Sequence, residues 1–196
     1  SIEDALHNPV RDVERIVLPP ASFLHEHEKI ARRWPAAVEF IEKRELNEFF
    51  DGDMQDIGLV VQGGGYNTLI RALELLGLAD VFGESRIPLY VMNVAYPLID
   101  SEWQRFCSDK RAVLILEEGQ PNFVEQNAAN ILRQAGSTVS LHGKDMLPLA
   151  GEYNTVTLLK GLRRFLEQYG KIAAEPVVPS VRKVIPLMQV NELQRP

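Results

Sequence analysis

The sequence contains one cysteine, Cys107, among 196 residues. A single thiol excludes an internal disulfide, and it excludes any iron–sulfur cluster or four-cysteine metal site held by this chain alone. No apolar run approaches the roughly 20 residues that cross a bilayer. The opening residues, SIEDALHNPV, lack the basic and apolar regions of a secretory signal. These absences predict a cytoplasmic protein without a membrane span.

An excess of positive charge is also absent. The formal net charge is −6, whereas proteins that bind nucleic acids cluster Lys and Arg against the phosphate backbone, so no nucleic-acid partner is expected. Hydrophobic residues make up 45% of the chain, as in ordinary soluble globular proteins. The length suits one domain with extensions. Because the sequence does not begin with Met, we expect a processed or excised piece.

Strand and helix signals alternate through residues 55–170. Apolar residues recur at helical spacing between the strand signals, as at Val124, Ala128 and Leu132. This alternation predicts an α/β fold with three layers, in which a mostly parallel sheet of four to five strands is flanked by helices. Four short apolar runs predict strands buried on both faces: IGLVV (57–61), IPLYVMNV (87–94), AVLILEE (112–118) and TVSLH (138–142).

The composition divides the chain into three parts. Residues 1–50 are predicted to form an N-terminal helical arm or linker, residues 51–170 the α/β domain, and residues 171–196 a Pro-rich connector to a further domain. In the arm, residues 25–50 read as a helix interrupted near Pro35, which ends before the turn cluster that starts at Asp51. In the connector, VRKVIPLM (181–188) has the composition of an added edge strand.

A glycine-rich turn follows the first predicted strand, in IGLVVQGGGYNTLIRALELLG (57–77). A strand, a glycine turn and a helix together can hold an anion on backbone N–H groups, and the candidates for that role are Gly63, Gly64, Gly65, Tyr66 and Asn67. The motif departs from known phosphate loops, because it lacks the third glycine of G-x-G-x-x-G and the Lys-Ser/Thr of a P-loop. A purely structural turn is therefore favoured, and it predicts a positive φ at one of the three glycines.

The remaining polar residues do not form a catalytic or metal site by their spacing. His25 and His27 are two residues apart on a predicted helix, so their imidazoles point in different directions and cannot share one metal ion. Glu117 and Glu118 are neighbours at a strand end, so they face opposite ways and cannot act as a carboxylate pair. Cys107 is expected to pack inside its helix. No catalytic and no metal-binding residue is predicted.

Four stretches in order resemble part of a known family. They are GLVVQGGGYNTLIRALELLGL, LYVMNVAYPLID, VLILEEGQPNFVEQNAANIL and HGKDMLPLAGEYN. Together they are similar to the alpha subunit of indolepyruvate ferredoxin oxidoreductases, within the thiamine-diphosphate-dependent 2-oxoacid:ferredoxin oxidoreductases. The resemblance covers about residues 55–158, with weaker similarity through 9–50. It corresponds to the middle, transketolase C-terminal-like domain of that subunit.

The resemblance implies a role inside a larger enzyme. The parent would oxidatively decarboxylate aryl 2-oxo acids with thiamine diphosphate, Mg²⁺ and iron–sulfur clusters, with coenzyme A as a substrate and a ferredoxin-type acceptor. Its thiamine-binding domains would flank this one, beside a smaller subunit or fused domain. The chain would hold no cofactor, would be inactive alone, and would serve interdomain docking and homodimerisation. Six residues at or just after the ends of the third and fourth predicted strands are candidates for such an interface: Glu117, Glu118, Gln120, Pro121, His142 and Lys144.

A second function remains open beside this one. The chain would then be an independent α/β module that binds a phosphate-bearing ligand, such as coenzyme A, at the Gly63–Gly65 turn.

Overall fold

A computed structural model describes residues 2–9 and 18–170 of the chain. The predicted Pro-rich connector and its VRKVIPLM segment lie outside the described residues. Contacts between residues divide the chain into two units after Arg44, earlier than the boundary at residue 50 that the sequence predicts. The difference arises because residues 48–50 pair with the sheet of the second unit.

The first unit is helical. It contains α1 (Ile2–His7), α2 (Ala21–Glu28), a π-helical segment (Lys29–Arg33) and α3 (Trp34–Lys43). The expected interruption near Pro35 is present as the π-helical segment. Pro35 lies in the first turn of α3, directly after this segment, and its missing N–H cannot donate to a carbonyl of the preceding helical turn. The predicted extension of this helix to residue 50 is wrong, because α3 ends at Lys43.

The second unit contains a five-stranded sheet. Its strand order is β1-β3-β2-β4-β5, and only β1 is antiparallel to its neighbour. The four runs predicted as strands all appear in the sheet, so the prediction of a mostly parallel sheet is confirmed. The strand β1 was not predicted from the sequence. The strands are β1 (Glu48–Phe50), β2 (Ile57–Gln62), β3 (Leu89–Met92), β4 (Ala112–Leu116) and β5 (Ser140–His142).

Helices cover both faces of this sheet, which confirms the three layers. The helices are α4 (Tyr66–Leu75), α5 (Asp100–Cys107), α6 (Phe123–Gln134) and α7 (Thr155–Phe165), which continues as a π-helical turn (Leu166–Gly170). Alternate strand residues point to opposite faces. In β2, Leu59 and Val61 therefore join the core beneath α4 and α7, whereas Val60 joins the core beneath α5 and α6.

A buried polar network joins the edge strand to α5. The Oε2 atom of Glu102 accepts hydrogen bonds from Asn47 Nδ2 at 2.8 Å and from Tyr90 OH at 2.7 Å. Asn47 Oδ1 in turn accepts from the N–H of Val94 at 2.9 Å. Burial, followed by the hydrogen bond to Glu102, raises the pKa of Tyr90 above its usual range. The network thus supplies partners for polar groups that would be costly to leave unpaired in the core.

Cys107 is buried, as expected, in the core beneath α5 and α6. Its side chain is 2% exposed, and burial raises the pKa of the thiol to about 12. Since the thiolate is the reactive form, this cysteine is an inert core residue in the folded chain.

Within residues 2–9 and 18–170, no helix has both the length and the apolar character to cross a bilayer.

Candidate functional site

The candidate site lies where two neighbouring parallel strands lead to opposite faces of the sheet. β2 and β4 pair at its centre. The chain leaves β2 for α4 on one face, and it leaves β4 for α6 on the other. In open α/β sheets, ligands bind in the crevice that this divergence opens beyond the carboxyl ends of the strands.

A cavity of about 380 Å³ occupies this position. Its volume falls in the lower part of the range of small-molecule sites, roughly 300–1,000 Å³. Apolar side chains from both strands and from α7 form part of the wall, and polar groups form the rest. The lining residues are Val61, Gln62, Gly64, Gly65, Thr68, Leu116, Glu118, Tyr153 and Leu158. We call this cavity the β2/β4 crevice.

The three glycines form a 3₁₀ turn, Gly63–Gly65, that leads directly into α4. The expected positive φ is wrong, because none of the three is among the positive-φ residues of the described chain. Close approach explains Gly63 instead, since a Cβ atom there would lie 2.6 Å from Asn93 Oδ1. A Cβ on Gly64 would meet no atom within 4 Å. A Cβ on Gly65 would lie 3.0 Å from Val61 Cγ2, which is also tight, so the close approach is most severe at Gly63 and absent at Gly64.

The two carboxyl groups after β4 point apart, as the strand geometry predicts. Glu117 is buried, and its two oxygens accept from the N–H groups of Val124 at 2.9 Å and Glu125 at 3.1 Å. It thereby satisfies backbone donors in the first turn of α6. Glu118 is exposed at the crevice, and its Oε2 accepts from the N–H of Tyr153 at 2.6 Å.

Lys144 crosses from the end of β5 toward β4. Its ammonium donates to the carbonyl of Glu117 and to the hydroxyl of Tyr153, the latter at 2.8 Å. Burial lowers the pKa of Lys144, although the carboxyl groups of Glu117, Glu125 and Glu118 act to raise it. Burial first, and then those same carboxyl groups, raise the pKa of Tyr153 to about 12. Three carboxyl groups and one ammonium thus lie around this part of the sheet edge.

His142, at the end of β5, is held on both ring nitrogens. Its Nδ1 lies 2.6 Å from Asp145 Oδ2, and its Nε2 lies 2.8 Å from the hydroxyl of Tyr169. Burial acts to raise the pKa of Asp145, but the hydrogen bonds with His142 and with the N–H of Gly143 outweigh it and hold the pKa below its usual value. The imidazole thus connects β5 to the segment after α7 and is occupied by structural contacts.

The structure brings together part of the predicted set. Glu117 and Glu118 follow β4, and His142 and Lys144 lie at and after the end of the neighbouring β5, so all four lie at the carboxyl ends of two paired strands. Gly64 and Gly65 line the crevice beside Glu118. The ring of Tyr66 instead stacks on Phe50 with centroids 5.6 Å apart. The other candidates, Asn67, Gln120 and Pro121, are exposed and do not line the crevice.

Three polar residues of the crevice, Gln62, Thr68 and Tyr153, are not among the candidates that the sequence indicates. Thr68 lies in the first turn of α4, and Tyr153 lies in the loop before α7. Tyr153 belongs to the GEYN stretch that carries the family resemblance, so the signal was present without an assigned role. Thr68 follows directly after GGGYN. Its position next to the glycine turn is the signal that could have indicated it as a residue of the site.

A second, larger cavity of about 870 Å³ lies between the 144–154 loop and α7. Charged side chains of both signs line it, among them Lys144, Glu152, Lys160 and Arg164. Lys160 and Arg164 are exposed on the surface of α7. The β2/β4 crevice is the better candidate, because it lies between the diverging central strands, where ligands of open α/β sheets bind.

The donor set does not fit the cofactors that the family resemblance implies. One cysteine cannot supply the thiolates of an iron–sulfur cluster. Within residues 2–9 and 18–170, no three His, Cys, Asp or Glu side chains are placed to hold a metal ion.

Comparison with known proteins shows that the chain is similar in sequence to one kind of enzyme subunit. No family model matches the chain. The indolepyruvate oxidoreductase subunit IorA of Methanothermobacter thermautotrophicus is 30% identical over 155 residues, which are 78% of this chain and 24% of the relative. The subunit IorA of Thermococcus kodakarensis is 24% identical over 156 residues, 80% of this chain and 23% of the relative. The chain thus spans about a quarter of the length of these curated relatives.

Among solved structures, one similar chain belongs to the 2-oxoglutarate:ferredoxin oxidoreductase of Magnetococcus marinus with 2-oxoglutarate, coenzyme A and succinyl-CoA bound. The TM-score is 0.46 and the sequence identity is 14%, over 74% of this chain and 23% of that chain.

Proposed function

We propose, on the premise that this chain is related to one segment of the indolepyruvate oxidoreductase subunits, that it serves interdomain docking and dimerisation in a larger 2-oxoacid oxidoreductase. Catalysis would belong to the assembled enzyme and not to this segment by itself. The observation that carries the proposal is the extent of the match, which covers 78% of this chain but only 24% of the relative. About three quarters of the relative's length is therefore left to supply the remaining parts of the enzyme.

The use of the polar groups at the sheet edge supports a structural role. The carboxyl groups of Glu117 and Glu118 both accept hydrogen bonds from backbone N–H groups. Lys144 donates to a backbone carbonyl and to a tyrosine hydroxyl. Groups committed to such contacts fix loops in place, which suits a surface that another domain packs against.

Exposed apolar residues of the first unit support docking more directly. Neither α2 nor the following π-helical segment contains a buried residue. Yet Phe23 is 67% exposed, Leu24 62% and Ile30 64%. Short helices in water gain most of their stability from burying an apolar face. We infer that this face is covered in the assembled protein, as large exposed apolar patches usually are.

The wider enzyme would follow the family pattern. It would use thiamine diphosphate with Mg²⁺, iron–sulfur clusters and a ferredoxin-type acceptor to convert aryl 2-oxo acids and coenzyme A into acyl-CoA. Thiamine-binding domains would adjoin this segment, with a smaller subunit or fused domain beside them. A chain with a single, buried cysteine suits the reducing cytoplasm, where we place the protein.

The isolated chain is expected to show no turnover. When it is mixed with thiamine diphosphate, Mg²⁺, coenzyme A, indolepyruvate and an acceptor dye under anaerobic conditions, dye reduction should not exceed that of heat-denatured chain. The physical reason is that its polar edge groups are held in structural contacts. A full-length 2-oxoacid oxidoreductase serves as the positive control. Sustained dye reduction that depends on both indolepyruvate and this chain would contradict the proposal that the isolated chain is not catalytic.

Self-association through the first unit is the second expected outcome. The wild-type chain should form dimers at micromolar concentrations in sedimentation velocity, because the apolar face of α2 finds a partner in a second copy. The double substitution Phe23→Asp and Leu24→Asp should shift the chain to monomer. Phe82→Asp is the matched control, since Phe82 is 88% exposed in the second unit and should leave the dimer intact. A wild-type chain that stays monomeric up to about 100 μM contradicts the dimerisation role.

A further inference from the structure

The β2/β4 crevice, which Glu118 lines beside its backbone contact with Tyr153, also has the features of a ligand site. Its apolar wall includes Val61, Leu116 and Leu158. On the polar side, the Gln62 amide and the Thr68 hydroxyl have no hydrogen-bond partner among the residues that the structure describes. Both groups are therefore available to a bound molecule. Apolar walls with a few convergent polar groups are typical of sites that hold small ligands.

We propose that the β2/β4 crevice binds a small molecule with an apolar or aromatic body and a hydrogen-bond-donating head, an amine above all. The donor head lies against the carboxyl group of Glu118, and the apolar body lies against the strand residues. This assignment differs in charge from an anion site at the glycine turn, and it does not depend on the docking role.

The charge of the crevice wall favours a ligand with a hydrogen-bond-donating head group over an anionic ligand. The carboxyl group of Glu118 lines the crevice and accepts one backbone hydrogen bond, which leaves further lone pairs free. A helix N-terminus such as that of α4 carries only about half a positive charge, less than the full negative charge of a carboxylate. The ammonium of Lys144 donates to the hydroxyl of Tyr153, which lines the crevice, but three carboxyl groups, those of Glu117, Glu118 and Glu125, act on the same tyrosine, so carboxyl groups outnumber the ammonium beside the crevice. A phosphate or carboxylate placed here would therefore face net repulsion.

The carboxyl groups around Tyr153 also make the electrostatic potential there negative. This residue lines the crevice, and after burial the carboxyl groups of Glu118, Glu117 and Glu125 are the largest causes of its raised pKa. Those carboxyl groups disfavour an additional negative charge at the tyrosine hydroxyl, and they equally disfavour one on a neighbouring ligand.

The size of the crevice limits the ligand. A cavity of about 380 Å³ accommodates a single ring with a short chain, but not a molecule as large as coenzyme A. Ligands of this size bind proteins with dissociation constants in roughly the micromolar to millimolar range. Phenethylamine and 3-phenylpropionate form a suitable pair of probes, since they share the ring and a short chain and differ in the sign of the head group.

The test is a titration of the 196-residue chain at low ionic strength, followed by the amide shifts of Gly64, Gly65 and Thr68 in nitrogen–proton NMR spectra. Phenethylamine is expected to shift these amides and to bind about tenfold more tightly than 3-phenylpropionate, because it pairs with Glu118. Glu118→Gln retains an acceptor for the N–H of Tyr153. It should bring the two dissociation constants within about twofold of each other.

A second variant separates binding from folding. Gly64→Leu places a side chain in the crevice where a Cβ meets no atom within 4 Å, so the fold should survive while phenethylamine binding is lost. The proposal is overturned if 3-phenylpropionate or inorganic phosphate binds at these amides as tightly as the amine. Amine-induced shifts that persist in folded Gly64→Leu, or no shifts up to about 20 mM amine, overturn it as well.

Discussion

Replacement of Glu102 by Ala is expected to lower the free energy of unfolding by about 3 kcal/mol. The substitution removes the acceptor that Asn47 Nδ2 and Tyr90 OH share, at 2.8 Å and 2.7 Å. Both residues are buried, Asn47 at 3% and Tyr90 at 0% exposure. Among the described residues, Asn47 Nδ2 then keeps only its 3.4 Å bond to Tyr90 OH, and Tyr90 OH loses its acceptor. A buried donor without a good acceptor costs about 1–3 kcal/mol, which accounts for the expected loss. Urea denaturation followed by circular dichroism measures it.

Two further variants make this test specific. Gln104→Ala lies on the same helix with its side chain exposed, and it should change the free energy of unfolding by less than about 0.5 kcal/mol. Glu102→Gln retains an acceptor oxygen and should cost less than the alanine substitution. If Glu102→Ala were no more destabilising than Gln104→Ala, the network would not stabilise the junction of β1 and α5.

Gly63→Ala is expected to destabilise the chain by about 2 kcal/mol, whereas Gly64→Ala should be nearly neutral. The Cβ of an alanine at 63 would lie 2.6 Å from Asn93 Oδ1. The Asn93 side chain cannot move freely, because its Nδ2 donates to Leu46 O at 3.0 Å and to Glu48 Oε2 at 2.8 Å. Relief of the overlap therefore breaks hydrogen bonds that hold β1 at the sheet edge, each of which contributes roughly 1 kcal/mol.

Gly64→Ala is the matched control for Gly63→Ala. A Cβ at Gly64 meets nothing within 4 Å, and Ala there restricts the unfolded chain, so its effect should stay within about 0.5 kcal/mol of zero. Hydrogen exchange at β1 and β3 should become faster in Gly63→Ala and remain unchanged in Gly64→Ala. Equal melting temperatures for the two variants would mean that the contact with Asn93 does not determine the need for glycine.

Sequence alone determined the layers of the second unit. Runs such as IGLVV and AVLIL could be recognised as strands because their residues are buried on both faces, which removes polar alternation and leaves a continuous apolar signal. The intervening helices were recognisable because their buried residues recur at a period near 3.6. The two carboxyl groups at 117 and 118 were expected to diverge, and they do, because alternation along an extended chain is a local property.

Only the tertiary structure decided which distant residues meet. The sequence predicts helix where the edge strand β1 lies, because the three residues of β1 carry a weak local signal and their extended conformation depends on pairing with β3. The three glycines are identical in sequence, yet only Gly63 faces Asn93, a contact between loops some 30 residues apart along the chain. The crevice itself arises from the strand order that places β2 beside β4. That order brings Thr68, Glu118 and Tyr153 to one cavity, and no local pattern encodes it.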